Sequence, residues 1–390
     1  MVNSIKNLKQ IKGKKVLLRL DLNVQVVDGK ILDDYRLVSA KETIDFLIQK
    51  KAKIIIISHL GKAEGEFAEK YSLKPVAKAL KLIIKKPIKF ISEHDPKKAK
   101  ALVDKIKNEE IVLLENLRFN PGEISNDNTF AKDLAVLADI YINDAFSVSH
   151  RAQASVEAIK KYLPSYAGLL LAEELKALDK ILKPKKPFIA IMGGAKISTK
   201  APLIEKFLPK ASKILIGGAL ATTIVKDLGF EVGKSFCDDN SAKIVKKIFK
   251  NKNSFSKILL PIDFVVLGPN NKVRLARPDE VKKNESIMDI GPETIGLFAE
   301  HIKTASTLVW NGPMGKFEDE RFKQGSLSLA RLVAARSRGS AYGLVGGGET
   351  VAVLKMTKME EYIDFISTAG GAMLSYLGGE KMPGLKKIVK

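Results

Sequence analysis

The sequence predicts an α/β protein with two doubly wound domains of parallel sheet that are joined by a hinge helix. Its 390 residues exceed what one hydrophobic core usually holds, so we expect two domains. Short apolar, β-branched runs alternate with segments of helical periodicity over nearly the whole length, which is typical of parallel sheets covered by helices on both faces. The content of 45% hydrophobic residues excludes intrinsic disorder.

In the first part of the chain, four apolar runs predict strands and three amphipathic segments between them predict helices. The predicted strands are Val16–Leu20, Lys53–Ile57, Ile111–Leu114 and Ile140–Ile142, and the predicted helices are Leu37–Gln49, Leu73–Leu82 and Thr129–Ala138. This order indicates the first Rossmann-like domain, which we place at residues 1–165 because Pro164 interrupts the pattern.

A long helix, Tyr166–Leu182, is predicted next and ends before Lys-Pro-Lys-Lys-Pro at 183–187. A helix in this place could act as a hinge, and a simple surface helix is equally compatible with the sequence. A second Rossmann-like domain follows, and together with this helix it occupies residues 166–376. Its predicted strands are Phe188–Met192, Ile214–Ile216, Ile258–Leu260, Thr307–Trp310, Ala341–Val345 and Tyr362–Ile366.

Composition argues against several functional classes. Every apolar run is shorter than the ~18 residues that a membrane helix needs, and the N-terminus has no stretch of signal-peptide type. Cys237 is the single cysteine, so an internal disulfide is excluded and a reducing compartment fits. We therefore expect a cytoplasmic protein that has no membrane partner.

The net charge of +22 raises the question of nucleic-acid binding. The excess of lysine is spread over both parts of the chain, and no RNP, zinc-finger or helix-turn-helix signature is present. A lysine-rich solvated surface is the favoured interpretation. We expect no dedicated nucleic-acid site.

Polar side chains follow each of the four strands predicted in the first part. The segments are Arg19-Leu-Asp21-Leu-Asn23, Ser58-His59-Leu-Gly-Lys62, Glu115-Asn-Leu-Arg118-Phe and Asn143-Asp-Ala-Phe-Ser-Val-Ser-His150-Arg151. Ligands of open parallel sheets bind outside the carboxyl ends of the strands. Arginine is scarce in this lysine-rich chain, and its planar fork binds carboxylate or phosphate in bidentate fashion. Structural ion pairs are the alternative explanation, but four such segments together indicate a cup for a small polyanion.

The strands predicted in the second part are followed by glycines instead. The segments are Gly193-Gly-Ala-Lys196, Gly217-Gly218, Asn311-Gly-Pro-Met-Gly315, Gly346-Gly-Gly-Glu-Thr350 and Ser367-Thr-Ala-Gly-Gly371. Glycine lets backbone N–H groups approach phosphates, and helix N-termini favour negative charge. These segments together predict a nucleotide site. It is not a P-loop, because Gly229-Phe-Glu-Val-Gly233-Lys-Ser has three residues between its glycines where four are required.

Three charged residues near these glycines are candidates for phosphate and metal binding. Lys196 and Lys200 are one helical turn apart and could reach the same phosphate chain, although two solvated lysines are the alternative. Glu349 lies at a predicted helix start and is a candidate Mg²⁺ ligand, because Mg²⁺–nucleotide sites use one or two carboxylates.

The motifs, in this order, resemble those of the phosphoglycerate kinase family over essentially the full chain. Besides the segments above, they include Leu260-Pro-x-Asp263-Phe, Asp289-x-Gly-Pro292 and Trp310-Asn-Gly-Pro-x-Gly315-x-Phe-Glu318. The resemblance implies a Mg²⁺-dependent kinase of glycolysis and gluconeogenesis. Such an enzyme reversibly transfers a phosphoryl group between 1,3-bisphosphoglycerate and ADP, giving 3-phosphoglycerate and ATP. It acts by hinge-bending closure without a covalent enzyme intermediate, and we expect a monomer.

The resemblance also implies roles for individual residues. Phosphoglycerate would be bound by Asp21, Asn23, Arg36, His59, Lys62, Arg118 and Arg151. The nucleotide would be bound by Gly194, Lys196, Lys200, Gly217, Gly218, Asn311, Pro313, Gly315, Glu318, Gly347, Gly348, Glu349 and Thr350, with Glu349 also the metal ligand. The transferring phosphoryl group would be stabilised by Arg36, Lys196, Gly370 and Gly371. The segment 377–390 would pack back on the first domain.

Five positions depart from the family's pattern. Gln25 and Ala369 replace a proline and a glycine, Glu349 replaces an aspartate, and Lys62-Ala63 replaces Arg-Pro. Lys62 keeps the charge but loses the planar fork, so we expect weaker phosphoglycerate binding. A weakened homologue that binds anionic partners through the basic surface is the main alternative. A Rossmann-type dehydrogenase is the second alternative. This sequence lacks the Gly-x-Gly-x-x-Gly fingerprint of such enzymes.

Overall fold

The chain folds into two units, which are seen in a computed structural model that describes residues 2–238, 241–250, 252–367 and 369–389. Unit 1 comprises the chain up to Lys176 together with the C-terminal segment from Lys381, and unit 2 comprises Ala177–Glu380. The structural division therefore lies after the sequence-based boundary at residue 165. The segment that returns to unit 1 begins at Lys381, whereas the sequence-based segment begins at 377.

The sheet of unit 1 is parallel, as the sequence predicts. The strands of this unit are β1 (Lys15–Leu20), β2 (Val26–Val27), β3 (Lys30–Ile31), β4 (Lys53–Ile57), β5 (Ile88–Ile91), β6 (Ile111–Leu114), β7 (Ile140–Asp144) and β8 (Ser165–Ala167). Six of them form the sheet in the order β5-β6-β4-β1-β7-β8, and β2 and β3 form a separate hairpin. The sequence analysis missed the two edge strands β5 and β8, whose runs are short.

Helices cover both faces of this sheet. The helices of this part of the chain are α1 (Tyr35–Ser39), α2 (Lys41–Gln49), α3 (Lys74–Ile84), α4 (Pro96–Val103), α5 (Pro121–Ile124), α6 (Asn128–Ala135) and α7 (Leu169–Leu182), and α7 continues from unit 1 into unit 2. Alternate residues of β1 enter two different hydrophobic clusters: Val16, Leu18 and Leu20 lie in one, and Leu17 lies in the other. A sheet with a core on each face is the doubly wound arrangement, so the predicted fold class is confirmed for this unit.

Two helix predictions in unit 1 are wrong in their limits. The single helix predicted for Leu37–Gln49 is divided into α1 and α2 at Ala40. The helix predicted to begin at Tyr166 begins at Leu169, because Ser165–Ala167 pair with β7 as β8. Strand pairing with a distant segment thus overrides the local helical pattern.

Unit 2 contains a second six-stranded parallel sheet. Its strands are β9 (Phe188–Met192), β10 (Lys213–Ile216), β11 (Ile258–Leu259), β12 (Phe264–Leu267), β13 (Val273–Ala276), β14 (Ser286–Ile290), β15 (Thr307–Asn311), β16 (Tyr342–Gly346) and β17 (Phe365–Ser367). The order in the parallel sheet is β11-β10-β9-β15-β16-β17. The last strand begins later than predicted, because Glu360–Tyr362 form a 3₁₀ turn.

The other three strands of unit 2 form a small antiparallel sheet in the order β13-β12-β14, which the sequence analysis did not predict. Burial alternates along β12 between buried and half-buried residues, as in a sheet with one covered face. A four-residue apolar run such as Phe264–Leu267 does not reveal from sequence alone which kind of sheet it joins.

Eight helices complete the described part of unit 2. They are α8 (Ile197–Phe207), α9 (Gly218–Asp227), α10 (Ala242–Phe249), α11 (Lys252–Lys257), α12 (Pro292–Thr304), α13 (Gln324–Ser337), α14 (Gly348–Thr357) and α15 (Gly370–Gly378). Within the residues that the structure describes, none of the helices has the length and apolarity that crossing a membrane requires.

The carboxyl ends of the neighbouring strands β9 and β15 meet through glycines. A Cβ on Gly193 would lie 2.0 Å from the carbonyl oxygen of Pro313, and a Cβ on Gly312 would lie 2.3 Å from that of Gly193. Gly312 also has a φ of +94°, which L side chains rarely adopt. The two loops can approach each other this closely only because both residues lack a side chain.

We expect Gly312→Ala to destabilise the protein by about 3 kcal/mol or more, because it adds both a backbone clash and a strained φ. Gly296→Ala is the matched control: Gly296 lies within α12, and no atom is within 4 Å of its Cβ position. The control should be neutral or stabilising by about 0.5–1 kcal/mol. Urea unfolding of both variants measures the difference, and equal midpoints would contradict this account of the loops.

Candidate active site

The polar segments of unit 1 meet at one edge of its sheet. They follow β6, β4, β1 and β7, which are consecutive in the sheet order, so their side chains lie at the carboxyl ends of adjacent strands. Arg36 joins this group from α1. We call this group the arginine cup, and its members are Arg19, Asp21, Asn23, Arg36, His59, Lys62, Arg118 and Arg151.

Asp21 holds one of the arginines in place. Its Oδ2 accepts hydrogen bonds from Arg36 Nη1 at 2.5 Å and from the hydroxyl of Ser147. The carboxylate fixes one arm of the Arg36 fork and leaves the remaining donors of that guanidinium for other acceptors. Asp21 therefore orients Arg36.

Gly61 connects the loops that follow three of the strands. Its N–H donates to Asn23 Oδ1 at 2.8 Å, and its carbonyl accepts from Arg118 Nη1 at 2.6 Å. The Nε of Arg118 is buried and has no hydrogen-bond partner among the described residues. A buried N–H donor without a partner is costly, so this atom is suited to an added acceptor such as an anionic oxygen.

Arg19 is the fully buried arginine of the cup and fixes the state of His59. The Arg19 side chain is 0% exposed, and its Nη2 lies 3.1 Å from His59 Nδ1. A guanidinium can only donate, so Nδ1 accepts and the ring proton of the neutral histidine is on Nε2. Burial, followed by the charges of Arg19, Arg118, Arg151 and Arg36, holds the pKa of His59 well below its usual value. His59 thus presents a neutral N–H donor.

A second layer of residues positions Arg19. Its Nε donates to the hydroxyl of Ser155 at 3.0 Å, and that hydroxyl donates to Glu123 Oε1 at 2.7 Å. Glu123 Oε2 also accepts from the Ser155 backbone N–H at 2.9 Å. The sequence analysis did not identify Ser155 or Glu123, because these contacts join residues more than thirty positions apart and belong to no local motif.

The remaining cup residues are less constrained. Lys62 and Arg151 are exposed, and Arg151 Nε lies 3.4 Å from His150 Nε2. The pKa of Arg118 is lowered by burial and then by the charges of Arg151 and Arg19, while Glu123 and Asp21 oppose this effect. Positive charge therefore exceeds negative charge in the cup, which favours an anionic ligand.

The five glycine segments of unit 2 also follow consecutive strands, namely β10, β9, β15, β16 and β17. Two cavities open beside them, with volumes of about 400 and 410 Å³, and Gly194, Ala195 and Glu349 line both. The first, which we call the lysine cavity, is also lined by Lys196, Lys200, Asn311, Gly347, Gly348, Thr350, Gly370 and Gly371. The second, which we call the glycine cavity, is also lined by Gly218, Pro313, Gly315 and Glu318.

Gly217 is the one predicted nucleotide residue that lines neither cavity. A Cβ at this position would lie 2.4 Å from the sulfur of Met314, so Gly217 allows the loop after β10 to pack on the loop after β15. The glycine cavity also includes residues that the motifs did not identify as ligands, among them Phe236, Met288 and Asp289. They come from the antiparallel sheet and the loops next to it, which the sequence analysis did not place.

Lys200 is the buried cation of the lysine cavity. It is 8% exposed, and burial lowers its pKa to about 8, with the Glu349 carboxylate opposing the shift. Helices α8, α14 and α15 begin at this cavity, so their N-terminal N–H groups add positive potential. The cavity therefore combines one buried ammonium with backbone donors, a combination that suits a phosphate chain.

Asp289 lines the glycine cavity and accepts hydrogen bonds from backbone N–H groups beside it. Its Oδ2 accepts from the Gly325 N–H at 2.7 Å and its Oδ1 accepts from the Ile290 N–H at 2.9 Å. A Cβ on Gly315 would lie 2.3 Å from the same carboxylate. Burial raises the pKa of Asp289 to about 7, and its contacts fix the loop that carries Gly315.

The described residues hold no group of three or more His, Cys, Asp or Glu side chains that could bind a metal ion by themselves. Glu349 is the carboxylate that lines both cavities, in the first turn of α14. One carboxylate fits a divalent cation that takes its other ligands from phosphates and water. It does not fit a permanent all-protein metal site.

Comparison with known proteins points to one family. The family model described as phosphoglycerate kinase matches residues 5–380. The phosphoglycerate kinase of Nitratiruptor sp. is 44% identical over 99% of this chain and 98% of its own length. That of Thermosipho africanus is 40% identical over 97% of this chain and 96% of its own length.

Solved structures give the same result. Phosphoglycerate kinase from Coxiella burnetii superimposes with a TM-score of 0.88 at 38% identity, covering 100% of this chain and 99% of that one. Phosphoglycerate kinase from Pyrococcus horikoshii superimposes with a TM-score of 0.81 at 29% identity, covering 99% of this chain and 98% of that one. These matches extend over the full α/β architecture, and the chain belongs to the phosphoglycerate kinase family.

Proposed function

We propose that this chain catalyses reversible transfer of a phosphoryl group between 1,3-bisphosphoglycerate and ADP, giving 3-phosphoglycerate and ATP. Unit 1 binds the phosphoglycerate and unit 2 binds the nucleotide. The observation that carries this assignment is the arginine cup, in which four arginines surround a buried neutral histidine with too few carboxylates to balance them. Such a site is suited to a small ligand that carries both a carboxylate and a phosphate.

In the cup, ligand oxygens would accept from His59 Nε2, from the unpaired Nε of Arg118 and from the exposed groups of Arg151 and Lys62. Asn23 Oδ1 is already occupied by the Gly61 N–H, so Asn23 offers its amide N–H groups to the ligand. Asp21 acts mainly by holding Arg36. Every proposed ligand contact is thus a donor directed at an anion.

In unit 2, the phosphates would lie in the lysine cavity against Lys200 and the N-terminus of α14. Glu318 would accept hydrogen bonds from the ribose in the glycine cavity, where the apolar walls contributed by Phe236 and Met288 suit a base. Glu349 would hold Mg²⁺ together with the nucleotide phosphates, and the cation would neutralise phosphate charge. Glutamate is longer than the aspartate of the family pattern by one methylene.

Phosphoryl transfer itself depends on positioning and on neutralising the charge of the three equatorial oxygens. We assign this role to Arg36, to Lys196 at the start of α8, and to the backbone N–H groups of Gly370 and Gly371 at the start of α15. The first N–H groups of a helix have no partner within it. The acceptor is an ionised carboxylate, so no general base and no covalent intermediate are required.

The two binding sites must come together for the transfer, and we propose that bending about α7 achieves this closure and excludes water. We further propose that the enzyme acts as a monomer in the cytoplasm, because both sets of site residues belong to one chain. The absence of a dedicated nucleic-acid site remains part of the proposal, and the even spread of lysine along the sequence supports it.

A coupled assay with 3-phosphoglycerate, ATP and Mg²⁺ tests the function, and we expect turnover that stops when the metal is chelated. Arg36→Met should lower kcat about 10²–10³-fold, because it removes a preorganised donor to the transferring group. Arg331→Met, on the exposed surface of α13, is the control and should retain the wild-type rate. A wild-type chain without turnover would favour the weakened homologue.

Nucleotide affinity should depend on pH through Lys200. The phosphates bind the ammonium form, and the pKa of Lys200 in the free protein is about 8. The Kd for MgADP should therefore rise about tenfold between pH 7 and pH 9, as the free lysine loses its proton. Lys200→Arg should remove this rise because a guanidinium stays charged. Lys206→Arg, exposed on the same helix, should retain it; calorimetry that finds the same pH profile for both variants would refute the role.

A further inference from the structure

Unit 1 has a polar cavity at the end of its sheet that lies opposite the arginine cup. The cavity has a volume of about 450 Å³ and is lined by the segment that leads into β8, by Asn3 and by Lys387 of the C-terminal segment. The strands of this sheet are parallel, so the amino end of β8 lies at the edge away from the carboxyl ends that carry the cup. This cavity is therefore separate from the phosphoglycerate site.

Three lysines line this cavity, which we call the tail cavity. Lys160 Nζ donates to the carbonyl of Pro383, Lys161 Nζ donates to Asn128 Oδ1 at 2.6 Å, and Lys387 Nζ donates to the carbonyl of Lys160 at 3.0 Å. All three acceptors are neutral oxygens. The ion pairs within 4 Å found among the described residues include none of these lysines. Each ammonium has three donors, so every one keeps donors for a ligand.

Lys160 lies among charges of both signs. It is 3% exposed, and burial lowers its pKa to about 7. The Glu157 carboxylate opposes this shift, and Lys386 and Lys387 add to it. Burying an ammonium is costly unless negative charge accompanies it. An anion in the tail cavity would add to the negative charge that Glu157 supplies.

We propose that the tail cavity is a second anion-binding site, which takes a small phosphate-bearing molecule and does not take part in phosphoryl transfer. Lys160, Lys161 and Lys387 supply the donors, and Tyr162 and Tyr166 line the remaining space. The volume exceeds that of an inorganic phosphate ion, which leaves room for an organic group on the phosphate.

The ligand would also secure the C-terminal segment. Lys160 and Lys387 join this segment to the body of unit 1 through the two carbonyl contacts described above. The same segment pairs with the N-terminus, where the Asn3 N–H donates to the Ile388 carbonyl at 2.8 Å. An anion between the lysines relieves the repulsion that opposes this docking, so ligand binding and retention of the segment are coupled.

Calorimetric titration of the full chain with inorganic phosphate tests the site, with 3-phosphoglycerate and MgADP present to occupy the other anion sites. Lys161→Gln/Lys387→Gln should weaken one phosphate-binding event about tenfold or more relative to the wild type, because two charged donors are lost. Lys81→Gln/Lys89→Gln is the control. Both side chains are exposed, Lys81 on α3 and Lys89 on β5, and β5 is the outermost strand on the side of the sheet opposite β8. Equal phosphate binding by the two double variants would overturn the proposal.

A second readout follows the C-terminal segment itself. Phosphate should slow the release of C-terminal residues by carboxypeptidase in the wild type and in the control variant, and should have no effect in Lys161→Gln/Lys387→Gln. Chloride at matched ionic strength separates a bound phosphate from general screening. Equal protection by chloride would also overturn the proposal. Neither readout requires turnover, so a failure here is distinct from a failure of the proposed kinase activity.

Discussion

The accumulation of like charge around His59 is the constraint on which the rest of the site in unit 1 depends. Arg19 is fully buried beside the ring, Arg118 and Arg151 act on it from other strand ends, and Arg36 acts on it from α1. The fold tolerates this arrangement because Ser155 and Glu123 hold Arg19 from behind and Asp21 holds Arg36. In the proposed function, an anionic ligand neutralises the remaining positive charge, so the cost of burying the cations becomes selectivity for phosphate and carboxylate.

In the proposed function, unit 2 binds anions by a different physical means. Its strand ends carry glycines instead of arginines, so the donors come from backbone N–H groups and helix N-termini rather than from side chains. The loops that follow β9 and β15 lie so close together that Gly193 and Gly312 have no space for a Cβ. Lys200 and Glu349 add one charge of each sign. A flexible, highly charged phosphate chain needs many short contacts, whereas a small rigid acid needs a few directional ones, and the two units match these needs.

Much of this was accessible from the sequence, because strand ends in a parallel sheet share one edge. The bounds of β4, β6 and β9 agree with the predicted runs, and the polar and glycine segments fall on neighbouring strands. What the sequence could not show depends on contacts between distant residues. The start of α7 is displaced by the pairing of β8 with β7, and Ser155, Glu123 and Asp289 act through partners in other motifs. Gly217, a predicted nucleotide ligand, also packs its loop against Met314, a contact that its motif does not reveal.

The pH titration of the His59 ring by NMR, with His59→Gln used for assignment, tests the central claim about the cup most directly. In the free protein we expect the ring to stay neutral, with its proton on Nε2, at pH values well below 6.5. Addition of 3-phosphoglycerate should raise the pKa of His59, because the ligand neutralises the surrounding guanidinium groups. A free His59 that titrates near 6.5, unchanged by 3-phosphoglycerate, would contradict the account.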